Sequence, residues 1–391
     1  MRSIFLLISF FYIISCSAYD SLITVVLMIK DEEKVICQTI EPMLKGGIDT
    51  FFIYDTGSTD NTIEIIEKYF IKNNVQKFCI AQEKWIDFAA SRNRALDLAK
   101  EKFPDSIFLL MPDAEWYLHN TEKLINFCKS KVNATDITAY GIKLISQNIN
   151  FYASRLIRAN SNVRFAGVVH ETINASAEKL PTDIYFKYEV CDAGSKKTEA
   201  RWLRDKELLL KAYNENPEDS RSAFYLAQTF DCLNDYYNAY HYYILRSKLP
   251  GWDEENYETF YRLGRIVLEL SKIDKNFNWD MARAYYEEAY KMRPHRAEPL
   301  FKIAEHYWPN NPPMAYIFAT HACVLPYPEN EVLFVEKDIY DFWRFELLSK
   351  AAWYVGDWKR GEMASRKAIE QNPHLPHLYR NLSLYLEQLQ S

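Results

Sequence analysis

Acidic side chains recur just past apolar, β-branched runs, and those positions are where chemistry would be placed. The run Leu22 to Ile29 leads into Lys30-Asp31-Glu32-Glu33, and the run Thr50 to Tyr54 leads into Asp55-Thr56-Gly57-Ser58-Thr59-Asp60-Asn61-Thr62. Gly57 permits a tight turn, so Asp55 and Asp60 can offer acceptors to a ribose or a base; the same turn would equally serve as a helix N-cap. The run Ile107 to Met111 is followed by Pro112-Asp113-Ala114-Glu115-Trp116. Two carboxylates one residue apart past a strand can face a hard divalent cation, Mn2+ or Mg2+, that in turn binds diphosphate oxygens. Taken alone, such a pair is also a common solvated loop.

Further candidates lie between and beyond these turns. Trp85-Ile86-Asp87-Phe88-Ala89-Ala90-Ser91-Arg92-Asn93-Arg94 opens a helix in which Asp87 either contacts a base or caps the helix, and Arg92 and Asn93 either reach ribose and phosphate or pair locally. Downstream, Arg155-Leu-Ile-Arg158 precedes Val169-His170-Glu171. A His beside a Glu at a strand end can supply a metal or phosphate contact and a general base, with Glu171 taking the proton of an acceptor hydroxyl or thiol. In Val190-Cys191-Asp192-Ala193-Gly194-Ser195-Lys196-Lys197, Asp192 is a third carboxylate for a metal, while Lys196 and neighbouring amides could cradle phosphate or form a mobile basic loop.

The elements that must position these residues alternate. Strands are expected at 22–29, 50–54, 77–81 and 106–111, separated by helices at 31–44, 61–70 and 89–100. Such alternation implies an α/β domain with a doubly wound parallel sheet, whose ligands sit at the carboxyl ends of the strands. Beyond about residue 205 strand signals stop and helical units recur about 34 to 43 residues apart. Asp235, Ala239 and Tyr243 set one unit, Ala282, Tyr286 and Ala289 the next, Ala315, Ala319 and Ala322 a weaker third, and Gly361, Ser365 and Ala368 a fourth. Tyr237-Tyr240-Tyr242-Tyr243 and Trp279-Tyr285-Tyr286-Tyr290 exceed what the repeat cores require, which suggests a recognition surface.

The loop at Asp55 to Asp60 resembles the first acidic loop of family 2 glycosyltransferases of the GT-A fold, and Asp113-Ala-Glu115 resembles their DxD motif. The resemblance spans residues 22–200. It implies a metal-dependent, inverting transfer of a hexose-type sugar from a nucleotide donor, UDP-linked in the first place, to a protein, peptide or glycan. Asp31, Asp55, Asp60, Asp87, Arg92, Asn93 and Lys196 would then bind donor, Asp113, Glu115 and Asp192 the metal, and Glu171 with His170 would do the chemistry. Two departures stand out: Glu115 replaces the usual Asp, and Cys191 the usual His of a metal-contacting turn. Residues 205–391 resemble tetratricopeptide repeats, which implies a protein partner or a homodimer. The rival reading is a transferase-like scaffold without catalysis.

Composition agrees with a folded chain. Net charge is −6 and apolar residues make up 48%, so no global basic field draws nucleic acid. Arg2, the apolar stretch Ile4 to Ile14 and the small residues Ser15 to Ala18 have the layout of a secretory signal peptide, from which a secretory or secreted protein is expected; the alternative is an apolar helix packed on the domain. Cys16 leaves with that segment, and the widely spaced remaining cysteines form neither a CxxC zinc pattern nor a disulfide framework.

Overall fold

The computed structural model describes residues 21–146, 150–188 and 194–390, with the side chains of 194–198 outside that description. The signal-like residues 1–18 therefore lie outside it, as do Cys191 and Asp192. The described residues form two compact units that part immediately ahead of Gly194. The boundary expected at 200–205 falls inside a helix, Gly194–Glu215, which belongs to the second unit.

In the first unit the apolar runs become strands: β1 (Ser21–Ile29), β2 (Thr50–Asp55), β3 (Lys77–Gln82) and β4 (Ser106–Leu110), with helices α1 (Ile36–Lys45), α2 (Thr62–Lys72) and α3 (Phe88–Lys102) between them. Later come β5 (Trp116–His119), α4 (Thr121–Lys131), β6 (Ala139–Ile145), β7 (Asn150–Arg158), β8 (Phe165–Ala166), β9 (Thr172–Ile173), β10 (Glu178–Lys179) and β11 (Tyr185–Tyr188). Strand order is β3-β2-β1-β4-β7-β6-β11-β5, with β10 beside β6, and β8–β9 is a separate small hairpin. β1 pairs in parallel with both β2 and β4, and β2 with β3. The expectation of a wholly parallel sheet is corrected beyond β4, since β7 runs antiparallel to β4 and β11 antiparallel to β5. No helical crossover separates β6 from β7 along the chain, so the geometric requirement for parallel pairing is missing there.

β1 and β2 are buried almost throughout, as parallel strands covered on both faces must be. Val26, Phe52, Tyr54, Leu109, Met111 and Ile157 from the sheet meet Ala89, Ala95, Leu96 and Ala99 of α3, where small residues let the helix lie close. Because β2 and β3 lie on one side of β1 and β4 on the other, the strand order reverses at β1/β4. By the rule for open α/β sheets, the ligand crevice belongs there, at the carboxyl ends.

The second unit is all helix: α5 (Gly194–Glu215), α6 (Ser220–Cys232), α7 (Tyr236–Arg246), α8 (Asp253–Ser271), α9 (Trp279–Met292), α10 (Glu298–Tyr307), α11 (Pro312–Val324), α12 (Arg344–Val355), α13 (Trp358–Gln371) and α14 (Pro376–Gln390). Successive helices pack as hairpins, α6 with α7, α8 with α9, α10 with α11 and α12 with α13. The repeat signal has a physical origin in the second helix of each pair. Asp235, Asn278, Asn311 and Asp357 cap α7, α9, α11 and α13 through their side chains. At one common spacing behind each cap stand the buried small residues Ala239, Ala282, Ala315 and Gly361. The aromatic surplus serves packing rather than display. Tyr243 and Tyr286 are fully buried, Tyr242 stacks on Phe230 at 5.4 Å, Trp279 stacks on His306 at 3.5 Å, and of those tyrosines Tyr237 is the one more than half exposed.

Within the α8/α9 hairpin, Gly264 of α8 leaves no room for a side chain, since a Cβ would lie 2.6 Å from the Tyr286 ring. Gly264→Ala is expected to lower stability by about 1–3 kcal/mol through overpacking, read in urea unfolding, and Tyr286→Leu in the same chain should recover part of the loss.

Candidate functional site

At the crevice, the turns after β1 and β2 are laced together by side chains. The Asp31 amide donates to Ser58 Oγ at 2.9 Å, and the Thr59 amide donates to Asp31 Oδ1 at 2.7 Å. The Glu32 amide reaches Thr62 Oγ1 at 2.8 Å, the Glu33 amide reaches Asp60 Oδ2 at 3.2 Å, and the Asn61 amide reaches Glu33 Oε2 at 3.2 Å. This lacing holds residues 31–35 out of the helix expected there, and α1 begins at Ile36. Asp55 is fully buried behind the turn, accepting from the Ser58 amide at 3.1 Å, Ser58 Oγ at 2.5 Å and Gln82 Nε2 at 3.1 Å. Asp55, expected to offer acceptors to a nucleotide, directs them here at Ser58 and Gln82. Asp60 is likewise engaged by Thr62 and the Glu33 amide. Gln82 went unnoticed in the sequence because nothing local marks a partner on the neighbouring strand.

On α3, Asp87 caps the helix, accepting from the Ala90 amide at 2.7 Å. Asn93 exchanges both of its amide bonds with the Phe165 backbone, at 2.9 and 2.8 Å, and thereby docks β8 on the helix. Its neighbour Arg92 points inward and is 2% exposed.

Arg92 ends in a cluster of four charges. It binds Asp113 through Nη2 and Glu171 through Nε, while Arg155 Nη2 lies 3.4 Å from Asp113 Oδ2 and 3.1 Å from Glu171 Oε1. The Phe165 ring faces both guanidiniums at 5.7 and 5.5 Å, and Trp116 faces Arg155 at 5.3 Å. Burial pushes the Glu171 carboxyl up, but Arg92 and Arg155 more than reverse this and hold it at about 2. Burial also works against the charged form of Arg92, and Asp113 and Glu171 overcome it, so Arg92 stays protonated. Arg158 serves the scaffold instead, its guanidinium binding the carbonyls of Lys131, Val132, Ala134 and Ile137 behind α4. The Arg-x-x-Arg spacing thus joins a site residue to a structural one, and sequence reasoning assigned Arg155 no role.

Asp113 is the open member of the cluster, with 33% of its side chain exposed. Each of its oxygens holds one arginine and keeps a second lone pair. Glu115 lies two residues on, with its amide donating to Thr39 Oγ1 at 3.1 Å. Two carboxylates suit a divalent cation that arrives with phosphate and water as its other ligands. Among the described residues no group of three His, Cys, Asp or Glu is placed to hold a metal, and Asp192, the expected third ligand, lies outside them. Lys196 falls in the first turn of α5 rather than in a loop, and its side chain lies outside the described residues.

Backbone conformation marks the same positions. Asp31, Glu115 and His170 adopt φ of 54°, 67° and 51°. Left-handed conformations at such residues cost on the order of 1–3 kcal/mol each and persist where surrounding structure imposes them, a pattern concentrated at functional sites. Of the His170–Glu171 pair, His170 is the exposed member.

Residues 24–183 match the family described as "Glycosyl transferase family 2". No curated protein matches the chain. Solved structures similar to it include tetratricopeptide proteins. YrrB, a TPR protein with an unusual peptide-binding site, is 16% identical, with 47% of this chain and 85% of that one covered at a TM-score of 0.37. MamA is 14% identical over 47% and 96% at 0.35. A thermophilic TPR protein of Thermus thermophilus is 18% identical over 49% and 94% at 0.31.

Two outcomes follow from the site's geometry. Asp55→Ala should lower stability without any nucleotide present, by about 1–3 kcal/mol, because the Ser58 and Gln82 donors lose their acceptor; a melt of the unliganded chain checks this. Glu171 is more acidic folded than unfolded, so its contribution, on the order of 3 kcal/mol, is complete above about pH 4.5 and declines as pH falls toward 2. The stability gap between the parent and Glu171→Gln should accordingly narrow over that window in urea titrations.

Proposed function

We propose that this chain moves a hexose-type sugar from a nucleotide donor, UDP-linked in the first place, to a protein, peptide or glycan acceptor with inversion. One observation carries the proposal. Asp113 and Glu115 emerge together at the crevice beside β1, and Asp31, Glu115 and His170 are all held there in left-handed backbone. In this reading Asp113 and Glu115 bind the divalent cation that accompanies the donor, and that cation offsets charge on the departing diphosphate. Asp31 and the laced turn form the wall against which the nucleoside lies. Asp55 and Asp60 keep that wall rigid. His170, open to solvent, takes the acceptor proton.

The helical unit supplies the acceptor in this proposal, by binding a protein partner or by pairing two copies of the chain.

A screen of nucleotide sugars with Mn2+ and with Mg2+ tests the proposal, because transferases slowly hydrolyse their donor without an acceptor. Release of nucleoside diphosphate is expected from one donor class. Asp113→Asn, which keeps the side chain's shape, should slow it at least about 100-fold, or roughly 2.7 kcal/mol of transition-state stabilisation. UDP binding without turnover of any donor or acceptor would favour the scaffold reading.

A further inference from the structure

Within the site cluster the charges alternate around a closed ring. Glu171 Oε1 accepts from Arg92 Nε and from Arg155 Nη2, and the two arginines continue to separate oxygens of Asp113. The exposures of the side chains differ sharply: 3% for Arg92, 10% for Arg155, 6% for Glu171 and 33% for Asp113. The ring therefore has one open corner, and that corner is a carboxylate proposed to meet the donor's cation. A single arginine would leave the Asp113 plane free to turn about its last torsion. Two arginines on different oxygens fix it.

We propose that Arg155 and Glu171 are positioning residues, Arg155 completing the grip on Asp113 and Glu171 serving as the shared counter-charge of Arg92 and Arg155, not as the acceptor of a proton. This inference rests on the transferase reading above for its link to donor binding. Three features support it. A general base must approach the acceptor's proton to hydrogen-bond distance, whereas the Glu171 carboxylate is buried with one oxygen already shared by two guanidiniums. Two buried guanidiniums side by side need two negative charges for neutrality, and Asp113 alone supplies one. The Phe165 ring, fixed by the paired bonds of its backbone to Asn93, packs against both arginines and keeps them from swinging toward the crevice.

The experiment uses the full chain with Glu171→Gln, Arg155→Gln and the two combined. Each single change unbalances the ring and should lower the melting temperature, while the double variant restores neutrality and should melt above both. Donor hydrolysis is measured on the same proteins with the nucleotide sugar that the parent turns over. Glu171→Gln should raise KM for the donor at least tenfold and lower kcat less than tenfold, and added formate should not restore Glu171→Ala. If Glu171→Gln is unfolded at the assay temperature, the double variant replaces it in the kinetic arm. A double variant that melts no higher than the singles overturns the ring as a coupled unit. A kcat loss of 100-fold at unchanged KM, or rescue by formate, overturns the counter-charge role and makes Glu171 the base. A parent chain that hydrolyses no donor removes the transferase reading, and the melting comparison still decides the ring.

Discussion

The burial of Arg92 is the constraint on which the first unit turns. A guanidinium at 2% exposure is tolerable because Asp113 and Glu171 meet it, and a buried charge stripped of a partner costs about 3–5 kcal/mol. Those partners come from distant parts of the chain. Asp113 stands at the exit of β4, Glu171 between the two strands of the small hairpin, and Arg155 on the antiparallel β7. The ring can close only when α3, the central strands and the hairpin are all in place, so one electrostatic requirement ties the parallel half of the sheet to its antiparallel extension. The Asn93–Phe165 pairing sets the hairpin's height on α3, and the ring sets its rotation.

A second network holds the opposite wall of the crevice. Here carboxylates accept from amides and hydroxyls: Asp31 from Thr59, Glu33 from Asn61, Asp60 from Thr62, Asp55 from Ser58 and Gln82. Two turns that would otherwise move independently become one rigid rim. The acidic residues of this rim thus act on the protein's own turns, whereas Asp113 keeps a third of its side chain exposed.

Much of this was legible in the sequence, for identifiable reasons. Continuous β-branched runs made β1, β2 and β4 visible, because parallel strands covered on both faces show no alternation. The turn compositions then located Asp31, Asp60 and Asp113 at strand ends. Caps and small residues kept one spacing through the helical unit, which is why the repeats could be read in step. What stayed hidden was pairing across distance. Asp55 pairs with Gln82 on the next strand, and Asn93 with the backbone of Phe165. Arg155 and Arg158 share a motif and diverge in role because they alternate along β7, so only the fold separates them. The tyrosines of α7 and α9 looked surplus because sequence spacing does not reveal how wide the gap between neighbouring helix pairs is.

In the proposed complex a nucleotide sugar lies over the carboxyl ends of β1, β2 and β4 with Asp113 at its diphosphate. Amide hydrogen exchange of the full chain with and without UDP and Mg2+ tests it most directly, since each segment reports separately. Slower exchange in residues 30–35, 56–61 and 111–116, with α6 to α14 unchanged, is the predicted result. Protection confined to the helical unit, or no protection anywhere at saturating UDP, would contradict it.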